Sequence, residues 1–119
     1  MARILLVDDD PAALDLVGRG LSADGHEVVS FSDGQDALQE ITGAPARFDL
    51  MLTDMEMPGL DGLELARRAA AAAPQIRILL MSGFTSPDQA AVDALPIVGF
   101  VSKPLSLEQI RSAVRSALA

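Results

Sequence analysis

The apolar residues of this chain fall into short continuous blocks separated by stretches of helical spacing. Ile4-Leu5-Leu6-Val7 is an unbroken apolar run that stops at Asp8, the pattern of a strand buried on both faces of a parallel sheet. Comparable runs at Val28-Val29, Asp49 to Thr53, Ile76 to Met81 and Ile97 to Val101 bring the predicted strands to five. Between them Leu14, Val17 and Leu21 keep a helical period before Gly25, and Ala37, Leu38 and Ile41 keep one that stops at Gly43, so both helices have Gly where a helix should end. After the Pro58-Gly59 turn, Leu63, Ala66 and Ala70 lead a third helix toward Pro74 through the alanine run Ala69 to Ala73. Ser86-Pro87 opens a short, weak fourth helix that is cut off before Pro96. The last helix is the clearest: Ser106 with Gln109 makes a capping box, and Leu107, Ile110, Val114 and Leu118 line one face.

Strand and helix alternate five times, which predicts an α/β fold, a five-stranded parallel sheet with right-handed crossovers and helices on both faces. At 119 residues the whole chain, residues 1–119, is expected to be one domain, since domains cluster at about 100 to 150 residues. No repeat, low-complexity tract or linker interrupts it, and no attached DNA-binding or enzymatic output domain is expected. In such sheets ligands collect beyond the carboxyl ends of the strands. The polar residues that the predicted strands deliver there are Asp8 and Asp9, Asp54, Ser82, and Lys103 followed by Pro104.

Composition narrows the chemistry. There is no Cys and a single His, which excludes disulfides, thiolate-bound zinc, iron–sulfur clusters, thiol nucleophiles and imidazole-rich metal sites. Nine Lys and Arg against 17 Asp and Glu leave a formal charge of -8, which disfavours nucleic acid as a partner. Tyr and Trp are absent and Phe numbers four, so there are no aromatic platforms for stacking bases. No apolar run approaches the roughly 20 residues a membrane span requires, and the chain reads as cytoplasmic.

Three carboxylates converging without a counter-charge repel, and one would protonate unless a cation joined them. Oxygen-only ligands favour a hard metal, and Mg2+ accepts one or two carboxylates together with phosphate oxygens. Beside a hydroxyl at Ser82 and an ammonium at Lys103, the acids suggest phosphoryl chemistry with an Asp nucleophile.

At these residues the chain resembles a named family. Val7-Asp8-Asp9-Asp10, the run Thr53 to Gly62, Met81-Ser82-Gly83 and Phe100-Val101-Ser102-Lys103-Pro104 are similar, in order and over essentially the whole length, to the CheY-like receiver domains of two-component response regulators. The resemblance implies the flavodoxin-like (βα)5 doubly wound fold and a phosphorelay module rather than a turnover enzyme, one that catalyses only its own phosphoryl transfer and autodephosphorylation. It implies Asp54 as phosphoacceptor, Asp9 as direct Mg2+ ligand alongside Asp54, Asp8 acting through water, and the backbone carbonyl of Glu56 on the metal. Ser82 would be the hydroxyl switch, Lys103 the phosphate partner, Phe100 the aromatic that swings inward, and Lys103-Pro104 a cis peptide. The implied partners are a histidine kinase or histidine phosphotransfer protein as donor, and a downstream protein on the face of the fourth helix, fifth strand and fifth helix. The first-to-last pattern, including Ser82-Gly83-Phe84, Ser102-Lys103-Pro104 and the small apolar ending Ser116 to Ala119, also looks similar to CpdR-like single-domain regulators, which act as adaptors for the ClpXP protease.

Alternatives stand beside this reading. A chemotaxis-type regulator or a receiver excised from a hybrid kinase would share the same pocket. An aspartate-nucleophile phosphohydrolase would carry a second Asp where this chain has Glu56, and a phosphate-independent adaptor would have no need of intact acids. Individually the residues are ambiguous: Asp8 and Asp9 could be a solvated helix entry, Ser82 a turn residue, Lys103 a surface lysine and Phe100 plain packing. Asp10 and Asp61 read as solvated or capping residues, His26 as a turn residue, and the glycines of Gly18 to Ala23 fall too late in a helix for a dinucleotide fingerprint. Met51, Met55, Met57 and Met81 read as core or crevice-rim residues.

Overall fold

Ile4, Leu5, Leu6 and Val7 are all fully buried because the strand they form, β1 (Arg3–Val7), has an apolar layer on each side. The protein is described by a computed structural model covering residues 2–83, 93–102 and 106–119. Successive strand residues point to opposite faces. Leu5 and Val7 enter a cluster with Ala37 and Ile41 of α2 (Gly34–Gly43) and Leu65, Ala66 and Ala69 of α3 (Gly62–Ala72). Ile4 and Leu6 instead meet Val17 and Leu21 of α1 (Pro11–Ala23) and Ile110 and Val114 of the last helix (Leu107–Leu118).

The remaining strands are β2 (Glu27–Phe31), β3 (Leu50–Asp54), β4 (Arg77–Ser82) and β5 (Ile97–Ser102). All pair in parallel in the order β2-β1-β3-β4-β5. The chain therefore winds outward from β1 to β2 and then crosses back to β3 on the other side of β1. This is the flavodoxin-like order expected above, and its reversal opens a crevice at the carboxyl ends of β1 and β3.

Helix starts follow from short polar side chains. Asp10 accepts the N–H of Ala12 at 3.0 Å with Pro11 in the first turn, Asp33 that of Gln35 at 2.7 Å, and Asp61 that of Glu64 at 2.9 Å; Ser106 accepts the N–H of Gln109 at 3.4 Å. Asp10 and Asp61 are thus capping residues. Among the described residues no helix is long and apolar enough to cross a membrane.

Four details differ from the sequence reading. The third strand runs one residue further, so that Asp54 is its last member. The fourth begins at Arg77, because the N–H of Ile76 turns back to the carbonyl of Ala73 at 3.0 Å. The buried stripe of α3 is Leu65, Ala66 and Ala69, with Leu63 and Ala70 only half-buried, since an alanine-rich helix does little to fix which face turns inward. Gly43 belongs to α2 itself, whose cap is Ala44 at φ -148, whereas positive φ among the described residues is confined to Gly25 and Gly59. The fourth helix expected from Pro87 lies almost entirely outside the described residues.

Candidate functional site

One residue past β1, Asp8 is buried to 1% exposure, and at the end of β3 so is Asp54. Asp9 is exposed beside them. The three side chains can place one carboxylate oxygen each within 4.8 Å of one another, and they do so across the topological reversal between β1 and β3. The turn leaving β1 is built by successive carboxylates. Asp8 Oδ1 accepts the N–H of Asp10 at 2.9 Å, and Asp10 in turn caps α1. The N–H of Asp8 itself is held by the carbonyl of Phe31 at 3.1 Å, so Asp8 is fixed from both sides.

Asp54 is positioned by similar means. Its Oδ1 accepts the N–H of Glu56 at 3.1 Å, and the N–H of Met55 donates to the carbonyl of Met81 at 2.8 Å, carrying the β3–β4 pairing one residue past the strand. The chain then turns through Gly59 at φ +77, and α3 begins pressed against the strand it has just left. The N–H of Gly62 donates to the carbonyl of Met55 at 3.0 Å. A Cβ at Gly62 would lie 2.1 Å from the carbonyl oxygen of Asp54 and 2.7 Å from Met55 Cα, an approach that only glycine permits.

Ser82 closes β4, and its hydroxyl donates to Glu56 Oε1 at 3.2 Å, which also accepts the N–H of Gly83 at 3.1 Å. The family resemblance gives Glu56 a part only through its backbone carbonyl, and this side-chain contact lies beyond what the resemblance implies. The signal lies in the strand register: Asp54 pairs with Met81, so two residues further on Glu56 stands opposite Gly83. Phe100 lies on β5 with 45% exposure. Lys103 and Pro104, with the expected cis peptide, fall outside the described residues. The glycines of Gly18 to Ala23 lie within α1, where a Cβ at Gly20 would come within 2.4 Å of Leu107 Cδ1, a packing contact rather than a phosphate cradle. His26 Nδ1 accepts the N–H of Ala2 at 3.3 Å, and Met51 and Met81 are core residues.

The donor set fits a hard cation. Octahedral Mg2+ at about 2.0–2.1 Å from each ligand places neighbouring oxygens about 3 Å and opposite ones about 4 Å apart, compatible with the spacing of the three carboxylates. Without such a cation, three acids at this distance repel one another.

A family profile for the response regulator receiver domain matches residues 4–115. The chain belongs to that family. As a receiver domain it is a phosphorylation-controlled module of two-component signalling. The response regulator receiver protein CpdR of Brucella abortus (strain 2308) is 34% identical over 122 residues, covering 99% of this chain and 98% of that protein. The transcriptional regulatory protein GlrR of Escherichia coli (strain K12) is 30% identical, but the receiver domain spans only 26% of its length. Among solved structures, the chemotaxis protein CheY4 of Vibrio cholerae superposes with a TM-score of 0.88 at 29% identity, covering 99% of both chains. The receiver domain of the hybrid histidine kinase CckA does so with a TM-score of 0.83 at 26% identity, covering 98% of this chain and 99% of that one.

Proposed function

We propose that Asp54 accepts a phosphoryl group from a phosphohistidine donor. The observation that carries the proposal is the meeting of Asp8, Asp9 and Asp54 at the β1–β3 crevice. In the transfer a carboxylate oxygen of Asp54 attacks phosphorus, the phosphorus–nitrogen bond breaks, and the imidazole nitrogen leaves with the electron pair and takes up a proton from solvent. Mg2+ held by Asp9, by Asp54 and by the Glu56 carbonyl, with Asp8 acting through water, would supply positive charge to the phosphoryl oxygens. Asp8 Oδ1 is already engaged with the Asp10 N–H while Asp9 is exposed, a division that favours Asp9 as the direct ligand. The Glu56 N–H on Asp54 Oδ1 holds the nucleophile's carboxylate plane. Ser82 and Lys103 are proposed to grip the other phosphoryl oxygens, Lys103 from the family resemblance alone.

The phosphorylated state is proposed to be read by a protein in the cytoplasm, on a face formed by the fourth helix, β5 and the last helix. Val98 and Phe100, 48% and 45% exposed on β5, support that face, with Phe100 as the moving aromatic. The higher identity to CpdR, 34% against 29% for the chemotaxis protein CheY4 over similar coverage, supports a CpdR-like protease-adaptor role over a chemotaxis role. Incubation with a small-molecule phosphodonor and Mg2+ followed by intact-mass measurement tests the core of the reading. The wild type should gain one phosphoryl group and Asp54→Ala none. A phosphoryl gain in Asp54→Ala would transfer the assignment to another residue, and multiple turnovers on phosphomonoesters would favour a phosphohydrolase.

A further inference from the structure

The Glu56 side chain reaches from the loop after β3 to the end of β4, where a single oxygen, Oε1, accepts both the Ser82 hydroxyl and the Gly83 N–H. We infer that Glu56 is a built-in competitor of the phosphoryl group: its carboxylate holds the Ser82 donor that phosphorylated Asp54 would recruit, and the switch proceeds by exchange of one anionic acceptor for the other. This inference rests on the reading of Asp54 as phosphoacceptor and of Ser82 as its hydroxyl partner.

The physical ground is stoichiometric. A hydroxyl carries one proton and donates to one strong acceptor at a time, so a Ser82 bond to a phosphoryl oxygen requires the bond to Glu56 to open. Both acceptors are anionic, and charge-assisted bonds of this kind are of similar strength. The exchange therefore costs little net free energy, and small differences between the two sites decide which state is populated. Charge repulsion adds to the effect, since a dianionic group arriving on Asp54 would stand close to the Glu56 carboxylate. Glu56 is a positioning residue in this scheme: it sets where the Ser82–Gly83 segment rests and how firmly, without touching phosphorus. The same backbone carbonyl is present whatever side chain stands at position 56.

Three variants separate the hydrogen bonds from the charge: Glu56→Ala loses both, Glu56→Gln keeps an oxygen acceptor without the charge, and Ser82→Ala removes the donor. In protein free of metal and phosphate, exchange of the Gly83 amide followed by NMR should be about tenfold faster in Glu56→Ala than in the wild type, and about threefold faster in Glu56→Gln, whose neutral oxygen accepts about half as strongly. In titrations with beryllofluoride and Mg2+, Glu56→Ala should bind the mimic about five- to tenfold more tightly, Glu56→Gln should fall between Glu56→Ala and the wild type, and the gain from Glu56→Ala should largely vanish in the Ser82→Ala background. Equal tightening in Glu56→Ala and Glu56→Gln would reduce the effect to charge repulsion and overturn the competition, as would unchanged Gly83 exchange in Glu56→Ala. Failure of the wild type to take up beryllofluoride would overturn the phosphoacceptor reading itself, together with the competition. Uptake by a wild type that its variants match would overturn the competition alone.

Discussion

Gly62 shows how much of the site depends on one missing side chain. The position faces backbone, the Asp54 carbonyl at 2.1 Å from a Cβ and Met55 Cα at 2.7 Å, and backbone cannot rotate away as a side chain can. Gly20 provides the contrast, because its closest neighbour is the end of the flexible Leu107 side chain. Gly62→Ala is therefore expected to cost at least about 1–3 kcal/mol, the usual range for forcing extra volume into a packed position. Urea unfolding measures that cost, and the start of α3 should shift along with the Asp54 carboxylate, lowering phosphoryl uptake in the same variant. Gly20→Ala should cost less and leave uptake intact. The glycine was visible in the chain as part of a Pro-Gly-Leu-Asp-Gly turn, but its need for bare backbone was not, since that need arises from where β3 ends in space.

At the scale of elements, charged side chains tie helices to themselves and to one another. Glu64 accepts from Arg67 and from Arg68 on its own helix, and the hydrogen bonds from these guanidiniums hold its carboxyl down to about 2. Between α1 and the last helix, the Arg111 guanidinium grips Asp24, which immediately follows α1, and holds its carboxyl below the usual range, chiefly through the hydrogen bond. In both cases the folded-state pKa is depressed. The stabilisation is thus fully present above the unfolded value and is lost as pH falls through the folded one. For Glu64 that window runs from about pH 4.5 down to about 2. Denaturation followed across this range should show Glu64→Gln with a shallower acid limb than the wild type and a small change at pH 7, because solvent and salt screen exposed pairs. High salt should narrow the difference.

For the whole molecule, the crevice joins residues that lie far apart in the chain, with Asp8 and Asp9 after β1 and Asp54 at the end of β3. A cation bound there stabilises only the folded arrangement. Mg2+ at about a hundred times its dissociation constant should add about 2.7 kcal/mol by mass action, read as a rise in Tm over the same protein in chelator. Asp9→Ala should lose most of that rise, and calorimetry should show weakened Mg2+ binding. In chelator the same variant should melt no lower than the wild type, since it removes one of three crowded carboxylates. A chain of formal charge -8 gains further from any added cation.

Ile4 to Val7, Leu50 to Leu52 and Ile78 to Met81 announced buried parallel strands because burial on both faces leaves no polar position in these runs. Their polar ends, Asp8, Asp9, Asp54 and Ser82, were legible for the same reason, as abrupt acids and a hydroxyl after apolar blocks. Ser106 was legible as a cap because capping is a local bargain between a side chain and the next turn of backbone, whereas for Asp10 and Asp61 the sequence left capping and solvation both open and the structure decided for capping. Local pattern could not decide which face of α3 turns inward, since Leu63, Leu65 and the alanines around them differ too little in hydrophobicity. Nor could it decide that the Glu56 side chain meets Ser82 and Gly83 or that Gly62 must lie bare against Asp54. Those contacts depend on β3 and β4 being neighbours in one register, and a register is set by the packing of the whole sheet between its two helical layers.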